Sequence, residues 1–192
     1  MKNSLFRSYN AEKKGIWGFL GITEKFHIPV YQRDFSWGEE QINEFLDSIE
    51  QLSEEEFYLG ALVISKRSAM EKDAGYEDNV ESQESQYVVD GQQRITTCVL
   101  LTMALFETIK KVHNEVKEKK LLSPKLGMWF DLQVNEAEAR ITEMVLGKPK
   151  KATVSFPRII NEEDIRGNDH TNSEYHSPLA KIILDFENIL LE

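Results

Sequence analysis

The chain of 192 residues is acidic, with 23 basic and 33 acidic side chains and a formal net charge of −10 at pH 7. This charge argues against a chain that grips the nucleic-acid backbone by itself, because such binding needs a cationic surface. The hydrophobic content of 41% suffices for a folded core, and no apolar stretch approaches the roughly 20 residues that a membrane-spanning helix needs. The single cysteine, Cys98, excludes an internal disulfide, so we expect a cytoplasmic protein.

The first predicted elements are two helices that flank a cluster of polar and aromatic residues. Apolar residues at helical spacing over 16–20 predict a short opening helix. The cluster includes the segment 28–37 (IPVYQRDFSW), which we call the first motif. Ser36 followed by Glu39 has the spacing of a capping box, which predicts a second helix starting there. The apolar stripe of that helix consists of Ile42, Phe45, Leu46, Ile49 and Leu52.

The middle of the chain predicts two strands separated by a long loop. The first strand is expected from Phe57 to Ser65. Gly60 lies inside it, where a glycine either permits close approach of a ligand or marks a bulge, and both interpretations remain open. Residues 66–85 are polar and acidic and predict a long hairpin loop. A second strand is expected from Gln86 to Val89.

The segment 90–97 (DGQQRITT), our second motif, directly follows that strand. Apolar residues at helical spacing come next, so the motif forms the turn into a helix that reaches about Lys120. A helix N-terminus offers unpaired N–H donors, and Arg94 adds a planar cation, which together suit an anion such as phosphate. The plainer interpretation is that Asp90 caps the helix, Gly91 makes the turn and the other polar residues are solvated.

The C-terminal third predicts a hairpin and a last helix. The hairpin strands are expected at Trp129–Val134 and Thr153–Phe156, with an amphipathic segment around Glu138–Leu146 between them. Arg158 follows the second of these strands, where it reaches either a phosphate or an ordinary surface ion-pair partner. Apolar residues at helical spacing predict a helix over Leu179–Leu191.

Together, the two motifs resemble those of a known family, the ParB/sulfiredoxin-like N-terminal domain of GmrSD-type, modification-dependent restriction enzymes. The first motif is similar to the family's Ile-Pro-x-Tyr-Gln-Arg-x-Tyr/Phe-x-Trp pattern, and the second to its Asp-Gly-Gln-Gln-Arg-x-Thr-Thr pattern. The resemblance implies an α+β fold in which helices flank a small mixed sheet. We expect a core at 1–120 that carries both motifs. A hairpin and helical extension is expected at 121–192, truncated before a C-terminal effector domain.

The resemblance also implies a function in phage defence. The domain would bind and hydrolyse a nucleoside triphosphate, GTP or another, with Mg²⁺, and so regulate a nuclease that acts on modified DNA. No metal site is expected from the protein alone, although Asp90 is a possible ligand of nucleotide-bound Mg²⁺. The candidate catalytic residues are Asp90, Gln92, Gln93 and Arg94. The candidate nucleotide contacts are Tyr31, Gln32, Arg33, Gly60, Gly91, Arg94, Thr96 and Thr97. The candidate pocket for a DNA modification consists of Pro29, Tyr31, Phe35 and Trp37.

Other functions stay open at the level of the sequence. The domain could sense nucleotide or modified DNA without turnover, and Phe35 and Trp37 fit a core role equally well. A ParB-like nuclease ranks last, because no cluster of metal-binding carboxylates lies near either motif. The thiol chemistry of sulfiredoxin-like folds is not expected, because glutamines occupy the turn and Cys98 lies inside the helix.

Overall fold

The computed structural model describes residues 11–20, 26–50, 60–66, 86–147, 156–161 and 177–191. The fold is α+β, as predicted. Its helices are α1 (Ile16–Leu20), α2 (Glu39–Glu50), α3 (Gln92–Glu118), α4 (Pro124–Val145) and α5 (Pro178–Leu191). Its strands are β1 (Phe26–Ile28), β2 (Val63–Lys66), β3 (Gln86–Asp90), β4 (Leu146–Gly147), β5 (Phe156–Pro157) and β6 (Ile159–Asn161). No helix in these ranges is long and apolar enough to cross a membrane.

The main sheet brings the two motifs to the same edge. Its strand order is β2-β3-β1-β6, with β1 parallel to both β3 and β6 and with β2 antiparallel to β3. The first motif begins at the end of β1, and the second begins at the end of β3. Because parallel strands end at the same edge of a sheet, both motifs emerge side by side there, where ligands of such sheets commonly bind.

The hydrophobic core joins α3 to both halves of the chain. Buried side chains of α3 recur at helical spacing up to Phe106, whereas Ile109, the next apolar residue at this spacing, is exposed. Strand β6 comes from the predicted extension yet pairs with β1, so both predicted regions contribute to one sheet and one core. The boundary near residue 120 stays a prediction. The core residues are Leu20, Phe26, Ile28, Val88, Ile95, Val99, Met103, Phe106, Ile141, Met144, Val145, Leu146, Ile159, Ile183 and Phe186.

The predicted hairpin strand at Trp129–Val134 is wrong, because these residues belong to α4. The aromatic and branched side chains favoured a strand locally. Ser123 and Pro124 nevertheless supply a helix N-cap and first position, and the buried residues of α4 follow the 3.6-residue period. The short strand that pairs with Phe156–Pro157 is instead Leu146–Gly147, while 153–155 lie outside the described residues.

Two other predicted boundaries shift. Helix α2 begins at Glu39 rather than after Ser36, and the Gly38 N–H donates to Gln41 Oε1 at 2.9 Å. Gln41 therefore makes the capping hydrogen bond at this N-terminus that the sequence predicted for Glu39. The first of the two middle strands begins at Val63, with Gly60 outside it. Residues 51–59 and 67–85, and with them Leu52, the start of the predicted strand and most of the predicted loop, lie outside the described residues.

A polar cluster fastens α3 to α4. Asp131 Oδ1 accepts hydrogen bonds from His113 Nε2 at 2.6 Å and from Lys117 Nζ at 3.2 Å. The hydrogen bond from His113, followed by that from Lys117, holds the pKa of the Asp131 carboxyl below its ordinary value of 3.8. The folded protein thus favours the charged form of Asp131.

We expect Asp131→Asn to remove a small stabilisation that depends on pH. A carboxyl whose pKa is lowered by folding stabilises the protein above its ordinary pKa, and this stabilisation is lost as the pH falls through the lowered value. Thermal melts should therefore separate the wild type from Asp131→Asn at neutral pH and converge as the pH falls through the lowered pKa of Asp131. Glu136→Gln, which alters an exposed carboxylate on the same helix, is the control. A difference that persists unchanged in acid would contradict the assignment.

Candidate functional site

The two motifs meet in an open cleft of about 240 Å³ at the N-terminal end of α3. The first motif contributes three lining residues and the second contributes five. The cleft is the place where the carboxyl ends of β1 and β3 lie side by side. Its lining residues are Gln32, Arg33, Trp37, Asp90, Gly91, Gln92, Gln93 and Arg94.

Gln93 joins the second motif to the first through both ends of its amide. Its Nε2 donates to the Asp34 carbonyl at 3.1 Å. Its Oε1 accepts from the backbone N–H of Ser36 at 2.8 Å and from that of Trp37 at 3.3 Å. The amide of Gln93 therefore satisfies three backbone groups of the loop that follows β1, and both of its polar atoms are occupied.

Two further glutamines extend the same attachment. Gln92 Nε2 donates to the Arg33 carbonyl at 3.0 Å, and Gln32 Nε2 donates to the Val89 carbonyl at 2.7 Å. Gln92 is 5% exposed, and its Oε1 has no hydrogen-bond partner among the described residues. A buried acceptor in this state is costly unless a water or a ligand supplies a donor. Gln92 Oε1 is thus a buried acceptor, in a residue that lines the cleft, that needs such a donor.

Gly60 makes room for Arg94. Its φ of +98° is in the left-handed region, and a Cβ at this position would lie 2.6 Å from Arg94 Nη1. The same Nη1 atom donates to the Ala61 carbonyl at 3.1 Å. The close approach that the sequence suggested at Gly60 is therefore made by an arginine side chain of the protein. Arg94 is held by this contact at the edge of the cleft.

Gly91 serves a similar purpose for the backbone. It precedes the first residue of α3 with a φ of +91°, and a Cβ there would lie 2.2 Å from Leu62 Cδ2. Only glycine adopts this conformation at low cost while leaving space for the neighbouring side chain. The 60–62 segment therefore packs on the second motif at both Gly91 and Arg94.

The electrostatics of the cleft favour an anion. The N–H groups of the first helical residues, Gln92 to Arg94, have no acceptor within α3, whose first backbone bond runs from the Ile95 N–H to the Gly91 carbonyl. The N-cap residue Gly91 has no side chain that could satisfy them. Arg33 and Arg94 line the same cleft, and Asp90 is the carboxylate among its lining residues. Asp90 Oδ1 accepts from the Gly91 N–H at 2.8 Å, which leaves its second oxygen for other contacts.

The predicted nucleotide contacts do not all reach the cleft. Thr96 and Thr97 are buried inside the first turns of α3, and Thr97 Oγ1 donates to the Gln93 carbonyl at 2.9 Å. Tyr31 is 69% exposed and, like the two threonines, is not among the lining residues. Gly60 lies behind Arg94. The lining residues that remain from that prediction are Gln32, Arg33, Gly91 and Arg94.

The predicted aromatic pocket for a DNA modification is spread over different surroundings. Pro29 is buried, and Phe35 is half-buried. Trp37 lines the cleft and packs on Phe45 of α2, with the two ring centroids 5.7 Å apart and the planes tilted by 56°. Trp37 is thus both part of the cleft and part of the contact that orients α2.

Arg158 has a structural position outside the cleft. Its side chain is buried and donates to the carbonyls of Leu146, at 3.2 Å, and of Glu143. These acceptors belong to the C-terminal end of α4, where a cation also complements the helix dipole. Burial lowers the pKa of the guanidinium. Arg158 therefore secures a helix end, which differs from both the phosphate contact and the surface ion pair considered from the sequence.

Cys98 is a poor nucleophile in this environment. Burial raises the pKa of its thiol to about 11, so little thiolate exists at neutral pH. Its side chain is not among those that line the cleft. These observations agree with the prediction that the site does not use thiol chemistry.

The cleft contains a carboxylate of the kind that ligates nucleotide-bound Mg²⁺. The part of the chain that the structure describes contains no group of three or more histidine, cysteine or acidic side chains placed to share a metal. A nucleotide-bound Mg²⁺ is commonly held by phosphate oxygens, waters and one or two carboxylates. Asp90 is the carboxylate among the lining residues of the cleft.

The sequence did not predict that the 60–62 segment packs against the second motif. The contacts between Gly91 and Leu62 and between Arg94 and Ala61 connect residues that lie about thirty positions apart. The signal in the sequence was Gly60, because an isolated glycine near a strand often marks a close backbone approach. The glycine did not reveal which group would make that approach.

Comparison with known proteins identifies a family. A family model described as "GmrSD restriction endonuclease, N-terminal domain" matches residues 9–190, a span that includes both motifs and all of the lining residues of the cleft. No curated protein matches the chain.

Proposed function

The chain belongs to the family of GmrSD restriction endonuclease N-terminal domains, and from this premise we propose that its cleft binds and hydrolyses a nucleoside triphosphate. Membership confirms the resemblance seen in the two motifs and makes the chain a component of a GmrSD-type restriction system. The family implies DNA and a nuclease as partners. The finer proposal is that the state of the nucleotide regulates cleavage of modified DNA by that nuclease.

The observation that carries the proposal is the meeting of two arginines with the N-terminus of a long helix. Arg33 comes from the first motif and Arg94 from the second, and both line the cleft at the start of α3. Unpaired N–H groups, the positive end of the helix dipole and two guanidinium groups each favour a polyphosphate. Because the chain as a whole is acidic, this local concentration of positive charge is a particular property of the cleft and not of the protein in general.

The size of the cleft suggests which part of the nucleotide it encloses. Its volume of about 240 Å³ is below the range of roughly 300–1,000 Å³ that is typical of pockets enclosing a drug-sized ligand. We therefore place the phosphates inside the cleft and the sugar and base at its rim, near Gln32 and Trp37. Phosphate contacts then supply most of the affinity.

Hydrolysis in this arrangement depends on positioning and charge. A water attacks the γ-phosphorus, the bond to the oxygen that bridges the β- and γ-phosphates breaks, and the diphosphate and inorganic phosphate leave. In this proposal Gln92 Oε1, a buried acceptor without a partner among the described residues, holds the attacking water, while Arg33 and Arg94 neutralise the charge on the phosphate oxygens. A nucleotide-bound Mg²⁺ would be held by phosphate oxygens, waters and the Asp90 carboxylate, and it would supply further neutralisation of charge.

Binding without turnover is the second candidate function, and one observation favours it. Gln93, which the sequence offered as a residue that orients water, has both polar atoms of its amide engaged by the loop 34–37. Gln93 Oε1 accepts two bonds already, so among the described residues the acceptor without a partner in this pair is Gln92 Oε1. A sensor of nucleotide would need the arginines and the helix N-terminus, but no group that positions a water.

The two functions are distinguished by measuring binding and turnover on the same samples. Calorimetry and phosphate release are measured with ATP, GTP, CTP and UTP, each with Mg²⁺, and calorimetry is repeated with inorganic triphosphate. We expect saturable binding of at least one nucleotide and comparable binding of triphosphate. Release of phosphate supports the hydrolase, and binding without release supports the sensor. If neither nucleotide nor triphosphate binds, the proposal is wrong.

Arg33→Ala is expected to lower affinity for the bound nucleotide roughly 10- to 100-fold, the value of a charge-assisted hydrogen bond. The exposed side chain of Arg33 makes no hydrogen bond or ion pair with the described residues, and the bond that Arg33 does make is through its backbone carbonyl, so the fold should be unchanged. Arg140→Ala makes the same charge change at an exposed site on α4 and should leave affinity unaltered. Equal losses in the two variants would show that the effect comes from overall charge and not from the cleft.

A further inference from the structure

We propose that Gln93, with Gln92, is a positioning residue that holds Arg33 at the cleft. The amides of these two residues fix the loop that follows β1 against the first turn of α3, so that the guanidinium groups of Arg33 and Arg94 serve one anion. This inference rests on the proposed function for its binding measurement. It also predicts a property of the loop that can be measured when no ligand is present.

The first step is the geometry of Gln93. One amide bonds to the Asp34 carbonyl and to the N–H groups of Ser36 and Trp37, so it fixes the loop backbone at three points. These residues lie just before α2, in a segment without regular secondary structure of its own. Because an irregular loop lacks ladder or helix hydrogen bonds, its backbone polar groups need such partners. Gln93 supplies them from a rigid helix.

The second step is the bond from Gln92. It ends on the carbonyl of Arg33 itself, and the donor side chain is buried. A hydrogen bond shielded from water is stronger than an exposed one, because solvent does not compete for its donor or acceptor. The hydrogen bond from Gln92 thus restrains the backbone of Arg33 at its carbonyl group. The side chain of Arg33 remains exposed and able to turn toward a ligand.

The third step links this anchoring to affinity. An arginine on an unrestrained loop loses backbone freedom when it binds an anion, and this loss opposes binding. Anchoring by the two glutamines removes most of that freedom in advance, which is the physical meaning of preorganisation. Arg94 is already held by the Ala61 carbonyl. With Gln92 and Gln93 intact, the backbone of Arg33 and the guanidinium of Arg94 are therefore positioned before the ligand arrives.

A direct catalytic role for Gln93 predicts a different pattern of mutational effects. Gln93 Oε1 already accepts two bonds and one N–H of Nε2 donates to the loop, so a direct contact with a phosphate or a water would be made by the second N–H of Nε2. If Gln93 acts through Arg33 instead, its removal costs nothing further once Arg33 is gone. Non-additive losses are the signature of two residues that act as one unit.

The test is a double-mutant cycle with inorganic triphosphate as the probe. Gln93→Ala and Arg33→Ala are each expected to weaken binding about tenfold, and the double variant should bind no more weakly than Arg33→Ala. Gln133→Ala, at an exposed glutamine of α4, is the matched control and should bind as the wild type does. Additive losses in the double variant would overturn the proposal, since they would mean that Gln93 acts independently of Arg33.

Hydrogen exchange provides the measurement that needs no ligand. In Gln93→Ala, the amides of Ser36 and Trp37 lose their acceptor and should exchange faster, while those in the middle of α3 keep their protection. Unchanged exchange at 34–37 would overturn the inference. If the wild type shows the protected loop but binds no polyphosphate, only the proposed function fails.

Gln93→Glu keeps the test decisive if Gln93→Ala does not fold. A glutamate retains the acceptor for the two N–H groups but loses the donor to the Asp34 carbonyl. It should therefore preserve the protection of the Ser36 and Trp37 amides, because both still have their acceptor. Exchange at Ser36 and Trp37 that is clearly faster than in the wild type, in a folded Gln93→Glu variant, would contradict the proposed geometry.

Discussion

Arg94→Ala is expected to abolish nucleotide hydrolysis, or nucleotide binding if the domain is a sensor, while the domain stays folded. The loss should be at least about 100-fold, because the variant removes a charge-assisted contact to phosphate at the point where the helix dipole also acts. The guanidinium of Arg94 is fixed by the Ala61 carbonyl and by its contact with Gly60, so it does not need to be ordered on binding. Phosphate release and calorimetry measure the effect, and a thermal melt checks the fold.

Two further variants separate the charge of Arg94 from its position. Arg94→Lys keeps the charge but lacks the planar fork, so we expect it to recover only part of the activity. Gly60→Ala leaves Arg94 in the chain but places a methyl group 2.6 Å from its Nη1 atom, so the guanidinium must move. Gly60→Ala should therefore weaken binding as well. Full activity in a folded Arg94→Ala variant would sink the assignment of the cleft.

Gly91→Ala is expected to have the largest effect on stability. A non-glycine residue at a φ of +91° is strained, and the added methyl would collide with Leu62 Cδ2 at 2.2 Å. Strain and overpacking together should lower the free energy of unfolding by about 2 to 5 kcal/mol and the melting temperature by on the order of 10 °C. Thermal or denaturant unfolding measures both quantities.

Gly127→Ala is the matched control for Gly91→Ala. Gly127 is inside α4, and a Cβ there would meet no atom within 4 Å. Alanine has the higher helix propensity, so this variant should be as stable as the wild type or slightly more stable. Equal melting temperatures for Gly91→Ala and the wild type would show that the turn before α3 can relax, and that the contact with Leu62 does not fix it.

Helices with strong periodicity could be predicted from the sequence, and less regular elements could not. The second motif was correctly placed between β3 and α3, and the last helix was correctly predicted, because long apolar periodicity dominates local preference. The strand prediction for 129–134 was wrong because the aromatic side chains of this region favour strands locally. Packing against α3 and the rest of the core stabilises the helix instead. The contacts of Arg158 also could not be predicted from the sequence, because its acceptors are backbone carbonyls at the end of a helix.

The family, the α+β class and the position of a polar turn at the start of a long helix follow from the amino-acid sequence alone. These depend on local pattern and on the two motifs, which are continuous in the chain. The contacts of each polar residue, in contrast, depend on the tertiary structure. Parallel pairing of β1 with β3 placed Gln93 beside a loop nearly sixty residues away, and packing placed Gly91 against Leu62. Such partners are set by strand register and packing, which no local sequence pattern specifies.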